Sequence, residues 1–234
     1  MKDSEIREIL IAYVKSINNE VRIYQEKSIG SAVCDVMAVT DRLIGYEIKS
    51  DADNYQRLKK QIGFYNNFFD ENYIVINKKH LDSAREKVPD SWGILYIDNS
   101  KIQILRNSSK NIKVSRRSQL SVLWKLELKN ILIRNRLPLY AQKEKGYLAD
   151  QISQLVAPEL LGSQIAEELL HRDYSVYDAK DYTVYSEQTP FENMPFQEII
   201  DTLSEQNFEQ ITLAKWIELY NGAKQIQKEK KIFI

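Results

Sequence analysis

The hydrophobic pattern in the first half of the chain changes its period in a fixed order, and this order constrains the fold more than any other feature. A three-to-four spacing of apolar residues comes first, then three runs rich in β-branched and aromatic residues, then a second helical spacing and a short, wholly apolar run. These segments are residues 4–17, 21–29, 32–39, 43–50, 54–68 and 73–76. A short apolar run is typical of a buried strand. The order predicts an α/β fold with an αβββαβ core.

The second half of the chain has a different character. Residues 92–97 and 102–105 predict two further strands, but from about residue 120 onward the apolar spacing is helical. The predicted helices are residues 120–134, 148–156, 163–171, 197–205 and 213–230. We therefore expect an α/β domain at 1–118 and a mainly helical C-terminal region at 119–234.

The distribution of charge leaves two alternatives open for each of two segments. The chain carries 33 basic and 33 acidic side chains, so it offers no long-range attraction for a polyanion. Residues 99–126 nevertheless hold seven cations and no acid, whereas 181–214 hold seven acids and no lysine or arginine. The basic segment suits contacts with phosphate or a solvated hairpin. The acidic segment suits a solvated helix pair, or an intramolecular cover or partner-docking surface that competes with nucleic acid for the basic segment.

Three features bear on the compartment. The sequence has no run of about 18 apolar residues, so no membrane-spanning helix is predicted. Its N-terminal residues lack the basic and then apolar pattern of a secretion signal. Cys34 is the single cysteine, which excludes an internal disulfide and a multi-cysteine zinc site. The expected location is cytoplasmic, with no membrane partner.

Glu47, Ile48 and Lys49 form an acid-x-lysine triplet within an apolar strand segment. Side chains alternate along a strand, so Glu47 and Lys49 point to one side, which Asp35 on the preceding strand can also reach. Two converging carboxylates repel each other unless a cation lies between them, and oxygen ligands suit Mg²⁺ or Mn²⁺. A neighbouring ammonium can orient an attacking water and stabilise charge on a phosphate. The group therefore predicts metal-dependent phosphodiester hydrolysis.

Three other acid-x-lysine triplets occur, at residues 127–129, 178–180 and 229–231. The first and third fall in helical, solvated patterns and the second in a polar loop, so we expect all three to be surface charge. Glu47 differs from them because a charged residue among strand apolars is costly to bury without a partner.

The second predicted helix carries Gln61 and Tyr65, which are four residues apart and therefore share a helix face. An amide and a phenol can each bond a ligand carboxylate or a substrate phosphate. The alternative is that Tyr65 belongs to the core and Gln61 is solvated.

On these residues, the stretch from Glu26 to Trp92 resembles the sce7726-type family of the PD-(D/E)xK nuclease superfamily. The matching segments are residues 34–39, 43–51, 57–58, 61–65 and 88–93, with further similarity at 5–10 and 123–124. The resemblance implies a restriction-endonuclease-like fold and a Mg²⁺-dependent nuclease with DNA as its expected substrate. It also implies roles for individual residues. Asp35 and Glu47 would bind the metal, Lys49 would be the catalytic lysine, and Gln61 and Tyr65 would be accessory catalytic residues.

The chain departs from the superfamily pattern at one position and leaves a second one open. Cys34 stands where the superfamily name expects proline, and we expect it to be a small core residue. The resemblance favours Glu26, on the first strand, as the third acid of the metal site. Glu8, on the first helix, is the alternative, because many relatives draw this ligand from that helix.

The remaining expectations concern isolated polar residues and the alternative to catalysis. His80 and His171 have no neighbour that suggests a ligand or nucleophile, so a solvated or capping role is expected, and Asp53 is expected to cap the second helix. The alternative function is a catalytically idle nuclease-fold module that binds nucleic acid or a protein partner. The helical C-terminal region is a candidate surface for a partner or for self-association.

Overall fold

The computed structural model describes residues 1–140 and 142–174. The described residues form a mixed α/β fold with one six-stranded sheet whose strands lie in the order in which they occur in the sequence. The strands are β1 (Arg22–Ile29), β2 (Ala32–Val39), β3 (Leu43–Lys49), β4 (Glu71–Ile76), β5 (Gly93–Asp98) and β6 (Lys101–Arg106). Pairs β3–β4 and β4–β5 are parallel and the other three pairs are antiparallel. The prediction of an α/β fold is confirmed.

Helices occupy both ends of the described chain and the connections from β3 to β4 and from β4 to β5. They are α1 (Asp3–Ile17), α2 (Leu58–Phe68), α3 (Ala84–Lys87), α4 (Arg116–Leu120), α5 (Lys125–Arg134), α6 (Lys145–Leu155) and α7 (Pro158–Leu170), and a short 3₁₀ turn spans Lys78–His80. None of these helices is both long enough and apolar enough to cross a membrane.

The core that α1 forms with the sheet follows from two periodicities. Ile6, Leu10 and Val14 recur every four residues along α1 and are fully buried. They belong to one apolar cluster with alternate residues of β2 and β3, such as Val36 and Ile48. The helix and these alternate positions therefore share one face of the sheet.

Helix α2 lies against the opposite face, and its approach depends on Gly45. Gly45 neighbours Tyr46 in β3 and so points away from the α1 face. A Cβ atom at Gly45 would lie 2.3 Å from Cδ2 of Phe69, the residue that follows α2 and is fully buried. The missing side chain allows the end of α2 to contact the sheet.

Two helices begin later than the sequence predicts, at points where side chains bind the backbone. Helix α2 begins at Leu58 rather than near residue 54, because Asn54 Oδ1 accepts a bond from the Gln56 N–H and holds a turn there. The helix predicted at 120–134 begins at Lys125, because Glu127 Oε2 accepts a bond from the Trp124 N–H and starts α5; Leu120 is instead the last residue of α4.

The helices that follow β6 pack within the same compact unit as the sheet. That unit is Met1–Arg172, and the second unit is Asp173–Ile234. The change from sheet to helices near residue 118 thus lies inside one unit. The helices predicted at 197–205 and 213–230, and the acidic segment 181–214, lie outside the described residues.

We predict that Gly45→Ala destabilises the fold by about 1–3 kcal/mol, because the new methyl group would overlap a fully buried ring. Chemical denaturation followed by circular dichroism measures the change. Gly63→Ala is the matched control, since a Cβ there meets nothing within 4 Å. Alanine at this mid-helix position should stabilise the fold by about 0.5–1 kcal/mol. Equal stability of the two variants would contradict the proposed packing of α2.

Candidate metal centre

The pairing between β2 and β3 stops one residue short of the predicted site. Its last pair is Val36 with Tyr46, and the next residues in register would be Asp35 and Glu47. Three hydrogen bonds that involve side chains replace the backbone pairing at this point. The Asp35 N–H donates to the Tyr65 hydroxyl at 3.2 Å, that hydroxyl donates to the Tyr46 carbonyl at 3.2 Å, and Asp35 Oδ2 accepts from the Ile48 N–H at 2.7 Å. The two strands are therefore held by side chains where their carboxylates lie.

Glu47 and Lys49 form a buried ion pair on the side of β3 that faces α2. Lys49 Nζ lies 2.6 Å from Glu47 Oε1, and the two side chains are 5% and 2% exposed. Lys49 Nζ also donates to Gln61 Oε1 at 3.2 Å. The side-chain alternation in β3 and the position of Gln61 in α2 bring these three groups together.

Glu47 Oε2 is the unusual atom of this group. It is buried and has no hydrogen-bond partner in the part of the chain that the structure describes. Leaving a charged oxygen without a partner costs more free energy than leaving a neutral one. The second oxygen of Glu47 therefore has an unmet need for a cation or a donor.

Asp35 adds a second carboxylate whose ionisation is already unfavourable. Burial and the charge of Glu47 raise the pKa of Asp35 to about 7. Burial, with the charges of Glu47 and Asp35 as smaller causes, also raises the pKa of Tyr65, so its hydroxyl keeps its proton and donates to Tyr46. Lys49 Nζ pairs with Glu47, and the charge of Arg7 lowers the pKa of Asp35 by less than burial and Glu47 raise it.

Glu26 and Glu8, the two alternatives for a third acid, are both exposed. Glu26 is 76% exposed and forms an ion pair with Arg7, with Oε1 and Nη2 3.8 Å apart. Glu8 is exposed and lines a surface pocket with Glu5 and Asp51. Among residues 1–140 and 142–174, no group of three or more acids, histidines or cysteines is close enough to hold a metal. A third acidic ligand stays a prediction.

The carboxylates of Asp35 and Glu47 suit a Mg²⁺ ion that has few protein ligands. Mg²⁺ is commonly bound through one or two carboxylates, with waters and substrate phosphate completing its shell. Asp35 and Glu47 supply two carboxylates, and Oε2 of Glu47, which has no partner among the described residues, is available as a metal ligand. These residues fit a hard divalent ion.

Sequence reasoning missed Arg7 and Asp3, which lie on α1 next to Asp35. Arg7 Nη1 donates to the Asp35 carbonyl oxygen at 2.6 Å, and Arg7 Nε and Nη2 both donate to Asp3 Oδ1. The i,i+4 spacing of Asp3 and Arg7 is visible in the sequence and predicts their ion pair. It does not reveal which strand the pair contacts.

Two other expectations about single residues were wrong. His80 is buried rather than solvated, and its Nε2 carries a proton because it lies 2.8 Å from the Ser50 carbonyl oxygen, which can only accept. Asp53 does not cap α2, because its Oδ2 accepts from both the N–H and the hydroxyl of Ser50. Both side chains hold the turn that follows Lys49. His171, in contrast, is 60% exposed, as expected for a solvated residue.

The expectation of surface charge also fails for the first of the other three triplets. Glu127 is buried and accepts two bonds of 2.6 Å from Arg172, which is distant in sequence. The triplets at 178–180 and 229–231 lie outside the described residues.

In the basic segment, residues 99–126, three arginines form ion pairs with acids elsewhere in the fold. These pairs are Arg106 with Asp90, Arg116 with Asp70 and Arg117 with Asp150.

Comparison with known proteins places the chain in a family. The sequence profile described as "Bacteriophage P4 protein cII" matches residues 2–179, which is more than half of the chain. The chain belongs to the family of bacteriophage P4 protein cII. No curated protein matches it. The solved structure of the SPO1766 protein of unknown function from Silicibacter pomeroyi is 18% identical, with a TM-score of 0.38, and the match covers 47% of this chain and 74% of that chain.

We predict that Asp35 makes this member of the P4 cII family less stable as the pH rises. Folded Asp35 keeps its proton up to about pH 7, whereas an unfolded aspartic acid loses it near its ordinary value of 3.8. The folded state therefore binds more protons between these values, and its free energy of unfolding falls as the pH rises through this window. Denaturant unfolding from pH 4 to pH 8 measures the slope.

Asp35→Asn removes the titrating group and is the comparison for this measurement. The variant should gain stability relative to the wild type as the pH rises. Its difference from the wild type should become constant above about pH 8, where folded Asp35 is ionised. A difference that does not change with pH would show that the carboxyl group of Asp35 titrates normally.

Proposed function

We propose that the protein is a divalent-metal-dependent nuclease that hydrolyses phosphodiester bonds, with DNA as the expected substrate. The observation that carries this proposal is the unpartnered Oε2 of Glu47, which is buried beside Lys49 and interacts with Asp35. Oε2 needs a cation or a hydrogen-bond donor, and the described residues supply neither at that atom. The element order, with an antiparallel β1–β2–β3 unit followed by α2 and the parallel strand β4, supports a restriction-endonuclease-like core.

Asp35 and Glu47 would hold Mg²⁺ or Mn²⁺, and the bound ion would supply Lewis-acid stabilisation of the phosphate. Lys49 would provide a fixed positive charge near the developing charge of the phosphate and would orient the attacking water. Gln61 Oε1 accepts a hydrogen bond from Lys49 Nζ and limits the directions in which the ammonium can point. Tyr65 fixes the backbone at Asp35 through its hydroxyl.

A second candidate function is supported by the burial of the same pair. The Lys49 and Glu47 side chains are almost fully buried and neutralise each other. Such a pair is compatible with an inactive site in a module that binds nucleic acid or a protein. In such a module, the unpartnered oxygen of Glu47 would be a cost without a compensating function. This consideration favours the enzyme.

The test of the proposal is degradation of linear and plasmid DNA with Mg²⁺ or Mn²⁺. Wild-type protein should cleave only in the presence of a divalent ion, and Lys49→Met should lower the rate about 100-fold or more, because a fixed charge at the phosphate is lost. Asp35→Asn and Glu47→Gln should abolish the metal-dependent rate. Lys87→Met, an exposed lysine in α3, is the control and should cleave as the wild type does.

A melting experiment separates the enzyme from the idle module. A ligand that binds only the folded state raises the melting temperature, so Mn²⁺ should stabilise the wild type and not Glu47→Gln. Absence of cleavage of DNA and RNA, together with no metal-induced rise in melting temperature, would overturn the proposal and favour the module.

A further inference from the structure

Asp35 lies where the sheet fails to pair with it on either side. The β2–β3 pairing ends at Val36, and the β1–β2 pairing skips the position at which Glu26 would oppose Asp35. Glu26 has a φ of 48°, in the left-handed region that costs a non-glycine residue roughly 1–2 kcal/mol. The backbone of Asp35 therefore depends on partners outside the sheet.

Those partners are one side chain from each face of the sheet. The Asp35 N–H donates to Tyr65 of α2, and the Asp35 carbonyl accepts from Arg7 of α1. The Arg7–Asp35 bond is 2.6 Å long, and the Arg7 side chain is only 12% exposed. Arg7 therefore contacts the backbone of the candidate ligand from within the fold.

The guanidinium group of Arg7 is itself held at its other edge. Its Nε and Nη2 atoms lie 3.1 and 2.7 Å from Asp3 Oδ1, one turn earlier in α1. A planar guanidinium fixed along one edge has a defined direction at its remaining nitrogen. Nη1 is that nitrogen, and it points at Asp35.

We propose that Arg7 is a positioning residue for the metal centre, and that Asp3 orients Arg7 for this role. The inference rests on the proposed function, since it assigns to Arg7 the placement of the Asp35 carboxylate next to Glu47. Arg7 binds the backbone of Asp35 and leaves its carboxylate free for the ion. Partners that orient a metal ligand commonly change metal affinity about 10- to 100-fold when they are removed.

The sign of the effect separates positioning from a plain effect of charge. A positive charge near a metal centre repels the incoming ion, so removing it would strengthen metal binding if charge were its only influence. Positioning predicts the opposite result, because Asp35 would lose the bond that fixes its backbone. The two explanations cannot give the same result.

The experiment is calorimetric titration of the full chain with Mn²⁺ in four proteins: wild type, Arg7→Gln, Arg7→Lys and Lys15→Gln. Arg7→Gln should raise the Kd for Mn²⁺ about 10- to 100-fold. Arg7→Lys should give an intermediate Kd, because an ammonium can reach one partner without holding the fixed fork. Lys15→Gln removes an exposed cation from the last turn of the same helix and should leave the Kd unchanged.

Binding of a DNA duplex at several salt concentrations is the second measurement. A positioning residue leaves the affinity for DNA without metal, and its salt dependence, unchanged. If Arg7→Gln instead weakens DNA binding and lowers the salt slope by about one while the Kd for Mn²⁺ is unchanged, Arg7 contacts phosphate and the inference is overturned.

The remaining outcomes separate this inference from the proposed function. If the wild type binds no Mn²⁺, the proposed function fails and the inference fails with it. If the wild type binds Mn²⁺ and Arg7→Gln binds it equally or more tightly, only the inference fails. If Arg7→Gln does not fold, Arg7→Lys decides, with weaker Mn²⁺ binding than Lys15→Gln supporting the inference and equal binding overturning it.

Discussion

The ion pair between Lys49 and Glu47 is the interaction on which the candidate site depends. Removing two charges from water is costly, and a good geometry repays this cost only when the remaining polar atoms also find partners. Here the ammonium has Glu47 and Gln61, but one carboxylate oxygen of Glu47 has no hydrogen-bond partner among residues 1–140 and 142–174. Apolar residues of similar volume in place of such a pair are often neutral or stabilising. The pair is therefore better explained by function than by stability.

Asp35 lies next to this ion pair because the backbone pairing between β2 and β3 ends early. Strand β3 is antiparallel to β2 and parallel to β4, and the antiparallel pairing stops at Val36 while the parallel pairing continues to Lys49. Asp35 lies in the gap, held by Tyr65 from one face of the sheet and by Arg7 from the other. A carboxylate next to Glu47 is thus a consequence of local unpairing, which both helices stabilise.

Periodicity within one element was enough to predict part of this arrangement. Alternation along β3 placed Glu47 and Lys49 on one side, and the sequence predicted the bounds of β2 and the type of each core element. Interactions between distant elements were not predictable in this way. The contact of Arg7 with Asp35, the burial of His80 against Ser50 and the pairing of Glu127 with Arg172 join residues 28, 30 and 45 positions apart. Hydrophobic spacing carries no information about such pairs.

Burial of the site does not by itself decide between an enzyme and an idle module. Of the two carboxylate oxygens of Glu47, the ammonium of Lys49 binds Oε1, so a cation at Oε2 does not have to displace it. Burial and then repulsion by Glu47 raise the pKa of Asp35, and a second cation would relieve that repulsion. The ammonium and a divalent ion can therefore act on the same carboxylate, each at its own oxygen. For an idle module, the repulsion between the same two carboxylates would remain an electrostatic cost, which the Ile48 N–H and the charge of Arg7 offset only in part.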